Sequence, residues 1–258
     1  MHDDDRPVGR VLTRRELATL FGAGVAASLT RRVAAQTSGR APTSVIPSCV
    51  VHPQQTQGPF FVDEKLLRSD VRPDSRTGVV SAGSPLELRL TIAQVSAAGA
   101  CTPLAGAQVD IWQCDAIGRY SDASDRRNST SGQTFLRGHQ ITDVNGIVQF
   151  TTIYPGWYPG RAVHIHLKVR TAAASSAASE FTSQFYFDER LTDRVHTRAP
   201  YSTHTGQRTR NENDGPFRDG GTQLILPVAE RGQGYTANFT VGMRPGNPAS
   251  RRPGRWRL

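Results

Sequence analysis

Thr151 to Val169 reads TTIYPGWYPGRAVHIHLKV. Side chains alternate across a strand, so His164, His166 and Lys168 share one face while Val163, Ile165, Leu167 and Val169 share the other. The stretch therefore predicts a strand with an apolar back and a donor-rich front. Just before it, Pro155, Gly156, Pro159 and Gly160 interrupt the sheet and let Tyr158 fold back toward the face that carries the histidines. Two imidazoles and a phenol then converge.

Histidines one residue apart on a strand bring two neutral imidazoles within reach of one ion. Taken alone, the pair fits buried strand residues bonded to backbone as well as it fits a metal. The phenol narrows the chemistry. Its ordinary pKa is near ~10, so only a strongly Lewis-acidic ion makes it a good anionic ligand at neutral pH; ferric iron suits it better than zinc. A zinc hydrolase on these ligands is disfavoured, because catalytic zinc takes imidazole and carboxylate. Cupin-type sites also use H-x-H but place a glutamate four residues later, where this chain has Arg170.

The chain has 258 residues, 37% of them hydrophobic, which suffices for a soluble domain with a sizeable core. Residues 1–35 do not read as fold. Thr13-Arg14-Arg15-Glu16-Leu17, the weakly apolar run from Ala18 to Leu29 and the small residues through Ala35 resemble a twin-arginine-type export signal, whose passengers cross the membrane already folded. The apolar run is too short for a permanent span. These features place the protein in the periplasm or outside the cell. Residues 36–48 read as a Ser/Thr/Pro/Ala linker, 49–243 as the folded domain and 244–258 as a basic disordered tail. The net charge of +9 raises the question of nucleic acid. Lys65 and Lys168 are the only lysines, the arginines form no single stripe, and no nucleic-acid motif accompanies them.

Of the three cysteines, Cys49 and Cys101 are the expected disulfide, and Cys114, inside a strand pattern, reads as a small buried thiol. Leu86 to Ile92 alternates as a half-buried strand, and Gln108 to Gln113 and Ile147 to Ile153 follow the same rule. Further strands are expected at Glu180–Phe187, Thr222–Val228 and Gly234–Val241. Residues 142–146 form a tight turn. Long helical periodicity is absent from the mature chain. Short strands separated by turns argue an all-β domain, a β-sandwich or partly closed barrel, with long loops at 121–132 and 191–217.

Gly118-Arg119-Tyr120-Ser121, Phe135-Leu136-Arg137-Gly138, Thr142-Asp143-x-x-Gly146 and Tyr154-Pro155-Gly156-Trp157-Tyr158-Pro159-Gly160-Arg161-x-x-His164-Ile165-His166 together resemble the intradiol ring-cleavage dioxygenases. The resemblance spans roughly residues 49 to 243. It implies a β-sandwich that holds mononuclear non-haem Fe(III) through Tyr120, Tyr158, His164 and His166, with Tyr154 the rival for the second tyrosine. It implies that Arg161 stabilises negative charge on a bound catechol, assisted by Gln184, and that Tyr158 exchanges for substrate. Thr56, Gly58 and Pro59 match a pocket wall, and Trp157 is expected at the mouth. The implied reaction is cleavage of an aromatic diol by O2 to a muconate-type dicarboxylate.

Two departures matter. The long amino-terminal helical region of the catechol-type enzymes is missing, which argues against a dimer built through helices and leaves other homo-oligomers open. The insertion between the second tyrosine and Arg161 is short, which opens one pocket wall toward substituted catechols. A different class stays in view: Pro103-Leu104-Ala105-Gly106-Ala107 with Thr142-Asp143-x-x-Gly146 also resembles transthyretin-like structural or binding modules. Such a module has no use for four ligating side chains.

Overall fold

The computed structural model describes residues 50–123, 129–171 and 179–244. The expected signal, the linker, Cys49 and nearly all of the basic tail lie outside the described residues. Among the described residues nine strands form two sheets: β1 (Pro85–Val95), β2 (Cys101–Pro103), β3 (Gln108–Trp112), β4 (Arg137–Ile141), β5 (Ile147–Ile153), β6 (His164–Arg170), β7 (Glu180–Tyr186), β8 (Val228–Arg231) and β9 (Gly234–Met243).

In the first sheet β1 pairs along one edge with β5 and then β2, both antiparallel, and along the other edge with β9 in parallel; β8 closes a hairpin onto β9. The second sheet is antiparallel throughout, in the order β4-β3-β6-β7. The two sheets bury one shared core, with Leu86, Leu88 and Leu90 from β1 meeting Ile165, Leu167 and Val169 from β6. Period-2 alternation is the cause, since each of these runs places its branched or aliphatic residues on one face.

The far face of the second sheet is also buried. His164, His166 and Lys168 lie there and are all shielded from solvent. Strand pairing puts Tyr186 beside His164, Gln184 and Trp112 beside His166, and Thr182 and Asp110 beside Lys168, so these side chains share that face. The segment from Pro53 to Phe61 lies across it, fixed by Gln55 N–H to the Thr182 carbonyl (2.8 Å), Ser183 Oγ to the Pro53 carbonyl (2.8 Å) and Lys168 to Gln57.

Two expectations fail. The stretch expected as a strand at 222–228 joins a ladder only at its last residue, Val228, which opens β8: Gly220, at φ 94°, leads into a 3-10 turn over Gly221–Leu224, and Ile225 makes a single bridge to Tyr186. Pro227 has no N–H to extend that pairing. Nor is 191–217 a plain loop. Helix α1 (Glu189–His196) begins on Asp188, whose carboxylate accepts the Leu191 N–H at 2.8 Å, and buries Leu191 and Val195 one turn apart. Eight residues are too few to produce a visible helical period. A short helix α2 (Gly215–Arg218) follows, capped by Asp214. Cys101 is disulfide-bonded and Cys114 is a free, buried thiol.

Leu90 has no exposed surface and packs between the sheets. Leu90→Ala is expected to cost about 2–5 kcal/mol, read as a lower denaturant midpoint with an unchanged slope.

Candidate metal centre

Four side chains meet at one atom on the front of β6. His164 Nε2 lies 3.0 Å from His166 Nε2, 3.3 Å from the Tyr120 hydroxyl and 3.5 Å from the Tyr158 hydroxyl. His164 Nδ1 donates to the Ala162 carbonyl at 2.6 Å, which leaves a lone pair on Nε2 facing the other three groups. The His166 ring lies flat on Trp112, with centroids 4.7 Å apart and 1° between planes.

Both tyrosines come from irregular chain, and two glycines let their loops touch. Gly156 N–H donates to the Asp115 carbonyl at 3.1 Å. A Cβ at Gly118 would collide with the Trp157 carbonyl, and one at Gly156 with the carbonyls of Asp115 and Ala116. The crossing places Tyr120 and Tyr158 with ring centroids 5.6 Å apart. Tyr120 is buried under Phe60, which stacks on it at 4.3 Å and 16°; Tyr158 is half-buried and followed by the exposed Pro159 and Gly160. Tyr154, the rival, sits in the core with its hydroxyl 2.7 Å from Thr192 Oγ1.

Burial dominates the electrostatics. It pushes the Tyr120 phenol well above its usual range, with Tyr158 adding to the effect. The Tyr158 phenol is pushed up to about 12 by burial, partly opposed by Arg161. His164 is pushed down to about 3, by burial first and Arg161 second, and His166 is well below its usual value by burial and then His164. The imidazoles are therefore neutral lone-pair donors, and the phenols ionise only if a cation takes the proton's place.

These residues fit a hard, highly charged ion. His166 Nδ1 is buried without a partner, and a proton held there leaves its Nε2 free as a ligand. Among the described residues no group of three or more His, Cys, Asp or Glu is placed to hold a metal; here phenols supply half of the donors. Two neutral imidazoles with two latent phenolates suit Fe(III), because the phenolates offset charge that a divalent ion would not need.

Arg161 stands beside this cluster. Its Nε donates to Asp214 Oδ1 at 2.7 Å, and its Nη2 donates to Gln184 Oε1. Burial opposes its charge, but Asp214 and Tyr158 more than compensate and hold the guanidinium protonated. Asp214 is wholly buried and no sequence signal singled it out, since 53 residues separate it from Arg161. Gln184 is also fully buried, with its Nε2 on the Thr56 carbonyl at 2.9 Å, so it meets the site through Arg161. Gly58, at φ 69°, puts bare backbone against His166: a Cβ there would lie 3.2 Å from its Cε1. Thr56 and Pro59 flank it and are exposed. Trp157, expected at the mouth, is instead a core residue 7% exposed, with His204 stacked on it at 4.1 Å and 8°. Neither Phe60 nor Trp112 was among the site residues expected from the sequence. Their signal was the aromatic ring type, which is ambiguous until the fold stacks it on a candidate donor.

A separate surface cavity of 570 Å³, lined by Asp74, Val79, Ile117 and Phe135 among others, includes none of the four donors.

A family model described as dioxygenase matches residues 57–199, more than half of the chain. The chain is 30% identical over 122 residues to the protocatechuate 3,4-dioxygenase beta chain of Burkholderia cepacia, covering 44% of this chain and 51% of that protein. It thus spans about half the length of that curated relative. Among solved structures, the intradiol ring-cleavage dioxygenase from Tetranychus urticae superposes with a TM-score of 0.66 at 30% identity, covering 78% of this chain and 98% of that one. The dioxygenase domain of a dioxygenase and carbohydrate-binding fusion from Streptomyces sp. SirexAA-E gives 0.53 at 27% identity, covering 76% and 99%. By the extent of these matches, the chain belongs to the intradiol ring-cleavage dioxygenases, a family of oxidoreductases.

Proposed function

We propose that this chain is a ferric enzyme that opens a catechol-type aromatic diol between its two hydroxylated carbons with O2, giving a muconate-type dicarboxylate. The observation that carries the reading is the meeting of one buried and one half-buried phenol with two buried imidazoles around His164 Nε2. Mononuclear Fe(III) held by Tyr120, Tyr158, His164 and His166 would supply Lewis acidity toward both diol oxygens and the means of engaging O2.

The chain's own residues account for the rest. Tyr158 is the more open phenol, on a Pro-Gly loop, so it is the one that yields its place and takes a proton from the incoming diol at its hydroxyl oxygen. Tyr120 is enclosed and stays. Arg161 keeps a positive charge beside Tyr158, where the deprotonated ring becomes electron-rich, and a charge fixed in a poorly solvated wall acts there without reorganising. Asp214 and Gln184 aim that charge. The bare Gly58 backbone leaves room for a flat ring next to His166, between Thr56 and Pro59. Burial of the whole face keeps water from competing.

We further propose the domain division and location read from the sequence: a twin-arginine-type signal at 1–35, a linker at 36–48, the catalytic domain at 49–243, a basic tail at 244–258, and a periplasmic or extracellular enzyme. The disulfide at Cys101 supports it, since such bonds persist in oxidising compartments. Among the described residues no helix is long and apolar enough to cross a membrane.

The purified protein is expected to be coloured by a phenolate-to-Fe(III) charge-transfer band, which moves to longer wavelength when catechol is added without oxygen. A colourless protein that stays folded and takes up no iron would sink the reading. Tyr120→Phe should abolish iron retention, while Tyr154→Phe should leave the band in place and cost only about 1 kcal/mol of stability for the lost Thr192 bond. Arg161→Met should keep iron and colour but lower kcat by about 10²–10³, measured by the rise of muconate absorbance. Loss of iron in that variant would overturn the division of roles.

A further inference from the structure

Arg137, in the Phe135-Leu136-Arg137-Gly138 motif, has no part in the reading above. It opens β4, is 3% exposed, and makes no ion pair among the described residues. Its guanidinium spends its donors on two other segments. Nε donates to Ser121 Oγ at 2.7 Å, Nη2 to the Ser121 carbonyl and Nη1 to the Phe60 carbonyl at 3.1 Å. Ser121 Oγ in turn donates a hydrogen bond to the Phe135 carbonyl at 2.6 Å.

Ser121 is the residue after Tyr120, and Phe60 is the ring stacked on it. Neither belongs to a helix or strand, so no ladder of backbone bonds fixes them. From the other side, Thr130 Oγ1 donates to the Tyr120 carbonyl at 2.6 Å. Burying a guanidinium without a carboxylate is costly, and a side chain with one or two donor hydrogens cannot serve these three acceptors with a bond each. The planar five-donor fork of arginine can.

We propose that Arg137 is a positioning residue for Tyr120. Its fork ties the chain that carries the phenol to the chain that carries the ring covering it, and so keeps the Tyr120 hydroxyl among the donors around His164. The functional meaning rests on the metal-centre reading; the clamp itself can be observed without metal.

The test compares wild type with Arg137→Lys, which keeps the charge and loses the fork. In iron-loaded protein, Arg137→Lys should bind iron at least about tenfold more weakly, as is usual when a group that orients a ligand is lost, and its charge-transfer band should shift. In metal-free protein, tetranitromethane should nitrate Tyr120 in Arg137→Lys but not in wild type, read by peptide mass, with the buried Tyr154 and Tyr201 protected in both as controls. A folded Arg137→Lys whose Tyr120 stays protected and whose iron affinity and band match wild type overturns the proposal. Should that variant fail to fold, Ser121→Ala, which removes the Nε acceptor together with the hydrogen bond to the Phe135 carbonyl and keeps both carbonyl acceptors, decides by the same two readouts. If wild type shows no band at all, the metal reading fails, and nitration still decides the role of Arg137.

Discussion

Desolvation of the front of β6 sets the terms for the rest of the structure. His164, His166, Gln184 and Tyr186 are taken out of water together, and polar groups removed from water need partners or a change of charge. The fold meets part of that need with backbone: the Ala162 carbonyl accepts a hydrogen bond from His164 Nδ1, and the Thr56 carbonyl accepts one from Gln184 Nε2. What backbone leaves unpaired points inward, to the space that His164 Nε2 shares with two phenols. A sheet face that would ordinarily be solvated becomes a second interior, roofed by Pro53 to Phe61, and the cost of roofing it is what makes the donors avid for a cation.

The two arginines near this face solve opposite problems. Arg161 is paired with a wholly buried carboxylate, which fixes its direction while leaving the guanidinium at the edge of the site. Arg137 has carbonyls and a hydroxyl in place of a carboxylate and lies behind Tyr120. One arginine is oriented by its partners; the other orients its partners.

Much of this was legible in the sequence where the signal is local. Strands β1, β5, β6 and β7 alternate so plainly that period alone placed them within a residue or two at most ends, and the ordered tyrosine, arginine and histidine motif brought four donors to one point. Failures came where distant chain decides. Asp214 and Arg161 meet only because the loops after β7 fold back over the sheet. Trp157 looked like a mouth residue because nothing in its neighbourhood shows that His204 will cover it. Helix α1 is too short to declare a period, and Pro227 separates the single bridge at Ile225 from the ladder that starts at Val228.

The parallel pairing of β1 with β9 carries a consequence for how the chain comes into being. Leu86 is registered against Tyr235 and Gln94 against Met243, so the strand that completes the edge of β1 is among the last parts of the domain to leave the ribosome. Until then one side of β1 presents open backbone and a half-made core, and contacts of such long sequence separation form slowly. The first sheet is therefore completed only once β9 has emerged. The cluster of four donors, drawn from the Tyr120 and Tyr158 loops and from β6, is framed by that sandwich.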